Sequence, residues 1–404
     1  MGKNKLKVSL VVSDLSESGA GRWGGAVRPF LLSQALKSIN CEVEIVGFSF
    51  GEMASSLADS EIPIFSLPGR QYPGFLKSVS NLQKRIDGDI IYAYKPKPSS
   101  FGVSLLRKLQ TRQPVILDID DWELSWYGGD KWKYRRKLKQ FARDLLKPNG
   151  ELRNPDHPLY LKWLENWVSS ADVVTTHTQF IQNRFGGVYL PNGKNTTLFD
   201  PSLYDSEASR KHHGLSEFRI IMFPGAPRPY KGVEDVLIAL EQIDEPDLKL
   251  VIVGGSPYDE YDTELRTKWG HRIIQLPKFP ANVMPEIVSA AHLIVVPQRD
   301  VPAAQAQFPL KLTDGMAMAK PVLATRVGDI PNILGDTGYL VAPSSPEQLA
   351  ERIKWIFNHL EEANIKGREA RERCMKFYSI NSMAEILSDL LPKVLGYPLS
   401  KATN

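Results

Sequence analysis

The sequence predicts an α/β fold built from two doubly wound, Rossmann-like domains. Its 404 residues exceed what one hydrophobic core usually serves, so two domains of about 200 residues each are expected. Short apolar runs alternate with helical patterns in two separate series, and this alternation is typical of parallel sheets with crossover helices. A polar stretch rich in turn formers, residues 191–214, separates the two series and predicts a domain boundary.

The order of elements supports this interpretation. The first series begins with a strand at 7–12, a glycine-rich loop, a helix at 27–38 and a strand at 42–48. Its further strands are predicted at 89–94, 114–119, 172–176 and 187–190, and the second series at 218–223, 249–253, 273–275, 293–296, 321–324 and 338–341. A last helix at 382–394 has apolar residues at helical spacing and is expected to return to the first domain. The predicted domains are therefore 1–195 and 196–380, with 381–404 as the returning segment.

The composition sets limits on function. Fifty basic residues stand against 46 acidic ones, a formal balance of +4, so no nucleic-acid partner is expected. The two cysteines, Cys41 and Cys374, lie far apart without metal-ligand spacing, which fits a reducing, cytoplasmic compartment. The apolar run at 8–12 is too short for a signal or a membrane span, so any membrane contact is expected to be peripheral.

A glycine-rich loop follows the first strand. Gly19, Gly21 and Gly24 spell a dinucleotide-binding fingerprint, but the first glycine comes seven residues after the strand, and the second strand ends without an acidic residue for a ribose. The spacing argues against NAD. Gly24 and Gly25 instead fit a helix start where bare N–H groups receive a phosphate; a plain turn is the alternative.

A second glycine-bounded loop follows the first strand of the second domain. It runs from Gly225 to Gly232 and carries Arg228 and Lys231 at the carboxyl end of that strand, the edge at which such sheets bind ligands. Two fixed cations would hold a diphosphate and stabilise it as a leaving group. Solvated surface charge is the alternative.

The segment 308–322 predicts a helix that ends before a Lys-Pro pair and places Asp314 inside the helix. An acid on an inward face would accept hydrogen bonds from a ribose diol, whereas an acid on the outer face would be solvated. The pattern leaves both open.

Three aspartates end the strand predicted at 114–119. Asp118 and Asp120 alternate onto one face, which leaves three interpretations: sugar or acceptor hydroxyl binding by Asp120 and Asp121, a metal site, or structural hydrogen bonding. No metal is expected, because the two cations Arg228 and Lys231 already serve a diphosphate.

The segment 126–147 is the most basic part of the chain, with eight lysines and arginines against two aspartates. Its apolar residues fall at helical spacing: Tyr134, Leu138, Phe141, Ala142 and Leu145. One interpretation packs this stripe on the first domain; the other docks the segment, with Trp126 and Trp132, on an anionic membrane surface.

These motifs, in this order, resemble family 4 of the retaining glycosyltransferases, whose members have the GT-B fold of two facing Rossmann-like domains. The resemblance is carried by Gly24-Gly25, 190–193, Arg228 with Lys231, 253–255, 310–312, 316–317, 320–322 and 337–341. It implies an acceptor-side first domain and a second domain that binds a nucleotide-diphosphate sugar, with no cofactor. Diphosphate binding would fall to Arg228 and Lys231, ribose binding to Asp314, and further donor contacts to Gly225, Phe308, Pro309, Leu310 and Lys311.

The chain departs from that family at two places. The family has two glutamates eight positions apart, where this chain has Ala306 and Asp314; Gln305 or Gln307 is a potential substitute. A family histidine near the sugar is replaced by Asp120 or Asp121. The implied activity is retaining transfer to a glycan or lipid-linked acceptor, in glycan, polysaccharide or glycolipid biosynthesis. An epimerase of the same fold and a non-catalytic nucleotide-sugar-binding subunit are the alternatives.

Overall fold

The computed structural model describes residues 5–17, 19, 27–52, 61–134, 137–256 and 259–396. The chain divides into two compact units. The first contains Met1–Pro191 and Met383–Asn404, and the second contains Asn192–Ser382. Gly24 and Gly25, predicted to receive a phosphate, lie outside the described residues.

The first unit contains a parallel sheet of seven strands. In chain order these are β1 Lys7–Val12, β2 Glu42–Ser49, β3 Ile64–Pro68, β4 Ile90–Tyr94, β5 Val115–Ile119, β6 Val173–Thr176 and β7 Val188–Tyr189. Its helices are α1 Val27–Ser38, α2 Phe75–Arg85, α3 Val103–Thr111, α4 Leu138–Leu146, α5 Pro158–Glu165 and α6 Gln179–Phe185. The strand order is β3-β2-β1-β4-β5-β6-β7.

In this order, the strands after β1 are added first on one side of it and then on the other. The reversal point of the strand order therefore lies between β1 and β4. Both central strands are almost fully buried, as expected when helices cover both faces of a parallel sheet. In register, Leu10 of β1 lies between Ile45 of β2 and Tyr92 of β4. Ligands bind such sheets at the carboxyl ends of the strands, next to the reversal.

The second unit contains a parallel sheet of six strands. These are β8 Arg219–Pro224, β9 Leu248–Val253, β10 Ile273–Leu276, β11 Leu293–Val296, β12 Val322–Thr325 and β13 Tyr339–Val341. Its helices are α7 Ser206–His212, α8 Val233–Ile243, α9 Tyr261–Trp269, α10 Met284–Ser289, α11 Pro302–Gln305, α12 Leu310–Ala317, α13 Ile330–Leu334, α14 Pro346–Asn358 and α15 Leu360–Phe377. The order β10-β9-β8-β11-β12-β13 puts the reversal between β8 and β11.

The predicted α/β fold is confirmed. Each predicted strand is present within one or two residues, and the last helix, α16, spans Ile380–Leu395. Residues of this helix from Met383 onward group with the first unit. The strand β3 escaped prediction because it is short and partly exposed, so it lacks the continuous apolar run that marks the inner strands.

The packed-stripe interpretation of the basic segment is wrong for its central residues. Helix α4 exposes 40 % of Phe141, 43 % of Leu145 and 75 % of Leu146. Among the described side chains of this helix, Asp144 is buried, and it accepts a hydrogen bond of 3.0 Å from the Tyr134 hydroxyl. The helix is therefore anchored through a polar contact, while Phe141, Leu145 and Leu146 are exposed to water. None of the described helices is both long and apolar enough to span a bilayer.

Candidate functional site

The loop after β8 builds the first half of the candidate site. Gly225 follows the strand with a φ of +145°, and Gly232 ends a 3₁₀ turn, Pro229–Lys231, with a φ of +68°. A side-chain carbon on Gly232 would lie 1.9 Å from the Pro297 carbonyl oxygen that follows β11, so only glycine fits there. This close approach holds the loop against the end of β11, at the reversal point of the sheet.

Helix α12 brings a third cation to this loop. Lys311 lies in its first turn, and a side-chain carbon built on Gly225 would lie 3.6 Å from the Lys311 Nζ. The Lys311 ammonium also lies 4.6 Å from the centre of the Phe223 ring on β8. The Lys311 side chain therefore reaches from the first turn of α12 to Gly225.

Three basic side chains, those of Arg228, Lys231 and Lys311, meet at this place. Burial lowers the pKa of Lys231 well below its usual range, and the charges of Lys311 and Arg228 lower it further. Burial also lowers the pKa of Lys311 to about 8. The Lys231 ammonium donates to the Ala226 carbonyl oxygen at 2.9 Å, but among the described residues neither it nor Lys311 forms an ion pair with a carboxylate within 4.0 Å. The alternative of solvated surface charge does not describe these partly buried lysines.

Asp314 lies on the buried face of α12 and is 9 % exposed. The solvated outer-face alternative is therefore wrong. Its Oδ1 accepts a hydrogen bond from the ammonium of Lys194, which also stacks 4.2 Å from the centre of the Phe199 ring. Lys194 was missed by sequence reasoning, because it lies 120 residues away in the turn-rich segment taken as a linker.

The residues before α12 are all engaged. Ala306 is fully buried, so this position presents no polar group. The Gln305 side chain donates to Asp300 at 2.6 Å, and the Gln307 side-chain oxygen Oε1 accepts from the Tyr230 hydroxyl at 3.1 Å. Gln307 thus contacts the residue next to Lys231. Phe308 and Pro309 are buried and lead into Leu310, the first residue of α12.

In the first unit, Asp118 is part of a buried ion pair. Arg28 on α1 donates to its two oxygens at 2.8 and 3.0 Å, and the Thr175 hydroxyl donates to Oδ1 at 2.7 Å. Burial lowers the pKa of Arg28, but the charge of Asp118 and its hydrogen bonds to Arg28 together raise that pKa above its usual range. Because its oxygens are occupied by these donors, Asp118 is a structural residue, and the proposed pairing of Asp118 and Asp120 as metal ligands is wrong.

A second charged group surrounds Asp120 at the carboxyl ends of β4 and β5. The Tyr94 hydroxyl donates to Asp120, and Lys95 lies 3.5 Å from its Oδ1. Lys95 also donates to Glu123 at 2.6 Å, and Lys97 contacts the other Glu123 oxygen at 3.0 Å. Burial raises the pKa of Glu123, yet the two lysines lower it to about 2. These lysines were missed, because nothing local in the sequence pairs them with the aspartates.

Asp121 differs from its neighbours. It is 9 % exposed, and burial raises its pKa to about 7, with Lys95 opposing and Glu123 adding to the shift. Its Oδ2 accepts a hydrogen bond of 3.0 Å from the Trp126 indole. His177 follows β6, and burial lowers its pKa to about 3. The edge of the sheet therefore carries two carboxyl groups with very different pKa values, those of Asp121 and Glu123. They lie near the Lys95 ammonium, and the His177 imidazole of the same edge is neutral at pH 7.

An open depression of about 750 Å³ lies elsewhere in the first unit. Its lining combines aromatic and amide side chains, including Trp132, Tyr134, His157, Asn149 and Asn154. None of its lining residues belongs to the Asp120 group, so this depression and the charged group are separate features.

Part of the chain is similar to a known protein family. Residues 218–359 match the family model described as glycosyl transferases group 1. The matched segment lies within the second unit. This segment contains Gly225, Arg228, Lys231, Lys311 and Asp314.

Curated proteins that match part of this chain include a transferase and a synthase. The chain is 27 % identical over 168 residues to a D-rhamnosyltransferase, WbpZ, of Pseudomonas aeruginosa, covering 40 % of this chain and 42 % of the relative. It is 29 % identical over 219 residues to an N-acetyl-alpha-D-glucosaminyl L-malate synthase of Bacillus anthracis, covering 51 % and 55 %. The chain thus spans about half the length of the curated relatives it matches.

Solved glycosyltransferase structures share the fold across almost the whole chain. A glycosyltransferase from Rickettsia africae has a TM-score of 0.72 at 18 % identity, covering 97 % of this chain and 99 % of its own. HepE of Anabaena, solved with UDP and glucose, has a TM-score of 0.72 at 18 % identity, covering 96 % and 99 %. At this identity the likeness shows the fold, which is the α/β fold of the GT-B glycosyltransferases.

Proposed function

We propose that this protein transfers a sugar from a nucleotide-diphosphate sugar to an acceptor hydroxyl, with retention of anomeric configuration. The observation that carries the proposal is the group of Arg228, Lys231 and Lys311 at the reversal point of the second sheet. Their mutual repulsion makes the free site unfavourable, and a bound diphosphate would relieve it. The group 1 segment that contains these residues, and the UDP and glucose bound to HepE, support this donor class.

The donor diphosphate would bind these three cations together with the N–H groups that begin α12. Charge-assisted hydrogen bonds are roughly twice as strong as neutral ones, and the helix start adds a partial positive charge. Gly24 and Gly25 lie outside the described residues. Their predicted role in binding the phosphates stays a prediction. Asp314, held in place by Lys194, would accept a hydrogen bond from a ribose hydroxyl.

The same cations account for transfer without a metal or cofactor. As the sugar–phosphate bond breaks, negative charge develops on the leaving phosphate oxygen, and preorganised cations stabilise it. In the retaining mechanism that we propose, the acceptor hydroxyl attacks from the face that the phosphate leaves, and the phosphate oxygen takes its proton. No enzyme nucleophile is needed. Because Ala306 is buried and apolar, the donor sugar must be bound by other groups, such as the backbone before α12.

We assign acceptor recognition to the first unit. Asp120, Asp121 and Lys95 present two carboxylates and an ammonium at the carboxyl ends of adjacent strands, which suits the donor and acceptor character of sugar hydroxyls. Trp126 joins Asp121 to the exposed basic segment. A glycan or lipid-linked acceptor fits this arrangement.

The exposed face of α4 supports docking on an anionic membrane surface. The protein would then be cytoplasmic and would bind the inner face of the membrane. Phe141, Leu145 and Leu146 would enter the interface, and each nearby lysine or arginine would contribute about 1 kcal/mol. Packing inside this unit does not account for these side chains. Docking would bring a lipid-linked acceptor to the protein.

Replacing Lys231 tests the transfer reaction. Lys231→Ala should lower turnover roughly 100-fold or more, as removal of one preorganised charge partner does elsewhere. The matched control is Lys354→Ala, which removes an exposed lysine from α14 and should leave turnover unchanged. A panel of UDP, GDP and ADP sugars, screened by thermal shift, selects the donor for the assay.

Product analysis separates the alternatives. Transfer is supported when free nucleotide diphosphate and glycosylated acceptor form in equal amounts. An altered sugar formed without acceptor would identify an epimerase, and donor binding without any product would identify a non-catalytic subunit. Normal turnover of Lys231→Ala would reject the assignment of its role.

Sedimentation with vesicles tests the membrane surface. The double variant Phe141→Ser/Leu145→Ser should bind phosphatidylglycerol vesicles less than the native chain does, because exposed apolar area is lost. Ile365→Ser, which alters an exposed apolar residue of α15 in the second unit, is the control. Binding should also fall as salt screens the basic residues. Equal binding of native chain and double variant would reject this surface.

A further inference from the structure

The second unit holds a group of potential metal ligands away from the loop that carries Arg228 and Lys231. His212 ends α7, His213 is the next residue, and Glu286 lies in the first turn of α10. The His212 Nδ1 lies 2.9 Å from the Glu286 Oε1, and the His213 Nε2 lies 3.4 Å from the same oxygen. All three ligand atoms lie within 4.8 Å of one another.

These separations suit a transition-metal ion. Zinc binds imidazole nitrogen and carboxylate oxygen at about 2.0–2.2 Å in a tetrahedral arrangement. Ligand atoms around such a centre are therefore separated by about 3.3 Å. The two measured separations to the Glu286 oxygen, 2.9 and 3.4 Å, bracket that distance. Magnesium prefers six oxygen ligands, so two imidazoles disfavour it.

The His213 ring supplies a second observation. Its side chain is 11 % exposed, and its Nε2 is buried without a hydrogen-bond partner. An unsatisfied buried nitrogen is unfavourable, and a bound cation would satisfy it. The ring is fixed by an edge contact with Phe279, 5.6 Å between centres, and by stacking on His212 at 4.5 Å.

The two helices that carry the ligands are tied together independently of the imidazoles. The Ser209 hydroxyl of α7 donates to the Glu286 carbonyl oxygen at 2.7 Å, and Arg210 donates to the Ala290 carbonyl oxygen at 3.0 Å. The relative positions of the two helix backbones are therefore set without an ion. The His212 side chain is 69 % exposed, which leaves the ion a path from solvent.

We propose that His212, His213 and Glu286 bind a zinc-class divalent ion that links α7 to α10. The three residues supply three ligands, and water completes the fourth position. The ion takes no part in sugar transfer in this arrangement, because neither helix carries Arg228, Lys231 or Lys311. Zinc should therefore raise the melting temperature, whether or not the protein transfers a sugar.

Calorimetry of the full chain without a histidine tag tests the site. Zinc chloride should bind with one ion per chain, and magnesium chloride should not compete. His212→Ala and Glu286→Gln should each lower zinc affinity by about 10-fold or more, since even the loss of a residue that only supports a ligand costs that much. His212 is exposed, so its removal should leave folding intact, as circular dichroism would show.

A second histidine–glutamate pair provides the matched control. His271 lies 2.7 Å from Glu241, and Arg272 contacts the same oxygen at 3.2 Å, so a cation already occupies that carboxylate. His271→Ala should therefore keep full zinc affinity and the rise in melting temperature. The proposal is overturned when zinc fails to bind the native chain, or when His212→Ala and His271→Ala bind it equally.

Discussion

Replacing Lys311 by methionine should stabilise the free protein and weaken its hold on the donor. The change keeps an unbranched side chain over the Phe223 ring and removes the ammonium. Burial lowers the pKa of Lys311 from 10.5 to about 8. At about 1.36 kcal/mol per pKa unit, the charged form opposes folding by about 3 kcal/mol at neutral pH. This is an upper limit, because the side chain keeps some contact with water.

The sign of the pH dependence follows from proton binding. A lysine with a depressed pKa binds fewer protons in the folded state, so native stability rises with pH between about 8 and 10.5. The stability advantage of Lys311→Met should therefore be largest at neutral pH and vanish near pH 10.5. Urea unfolding followed by tryptophan fluorescence at several pH values measures it.

Donor binding should respond in the opposite direction. Loss of one charge-assisted hydrogen bond, about 1.5–3 kcal/mol, should weaken UDP or GDP binding roughly 10- to 100-fold. Calorimetry with the nucleotide that the donor screen selects measures the change. If Lys311→Met is more stable and binds the nucleotide more weakly, the Lys311 charge serves ligand binding at a cost in stability.

Lys194→Met is the control with the opposite sign. Lys194 is paired with buried Asp314, so its removal leaves an unpaired carboxylate and should destabilise the protein by about 3–5 kcal/mol. Should Lys311→Met destabilise the protein as much as Lys194→Met does, the picture of an unpaired, ligand-ready lysine would be refuted.

Three further outcomes are expected from the described contacts. Asp121→Asn should raise the free energy of unfolding by up to about 4 kcal/mol above pH 7 and change it little near pH 4. The reason is that the pKa of the buried carboxyl is raised from 3.8 to about 7, so that its ionisation opposes folding as pH rises. Urea titrations at both pH values measure the difference. Gly232→Ala should lower stability by about 2 kcal/mol or more, since its new carbon meets the Pro297 carbonyl oxygen, as thermal melting would show. Asp118→Asn should cost about 3 kcal/mol by leaving Arg28 buried beside a neutral partner, whereas unchanged urea midpoints would contradict the structural role of that pair.

Sequence reasoning located the strands of both sheets because each inner strand is a continuous apolar run bounded by turn residues. The same reasoning placed Arg228 and Lys231 correctly at the end of β8, since a residue that follows a parallel strand must lie at its carboxyl edge. It failed for the stripe of α4, because apolar spacing predicts a face of a helix but not what covers that face. Phe141 and Leu145 have the spacing of core residues and yet are exposed.

The sequence by itself determined the fold class and the edge of each sheet at which polar residues gather, because strand and turn patterns are local. Only the tertiary structure decided the partners of those residues. It paired Asp118 with Arg28, Asp314 with Lys194, and Asp120 with Lys95, and it placed Lys311 beside Gly225. The ion pairs except that of Lys95 join residues about 90 or 120 positions apart. Electrostatic partnership depends on distance in space, and no local pattern along the chain records it.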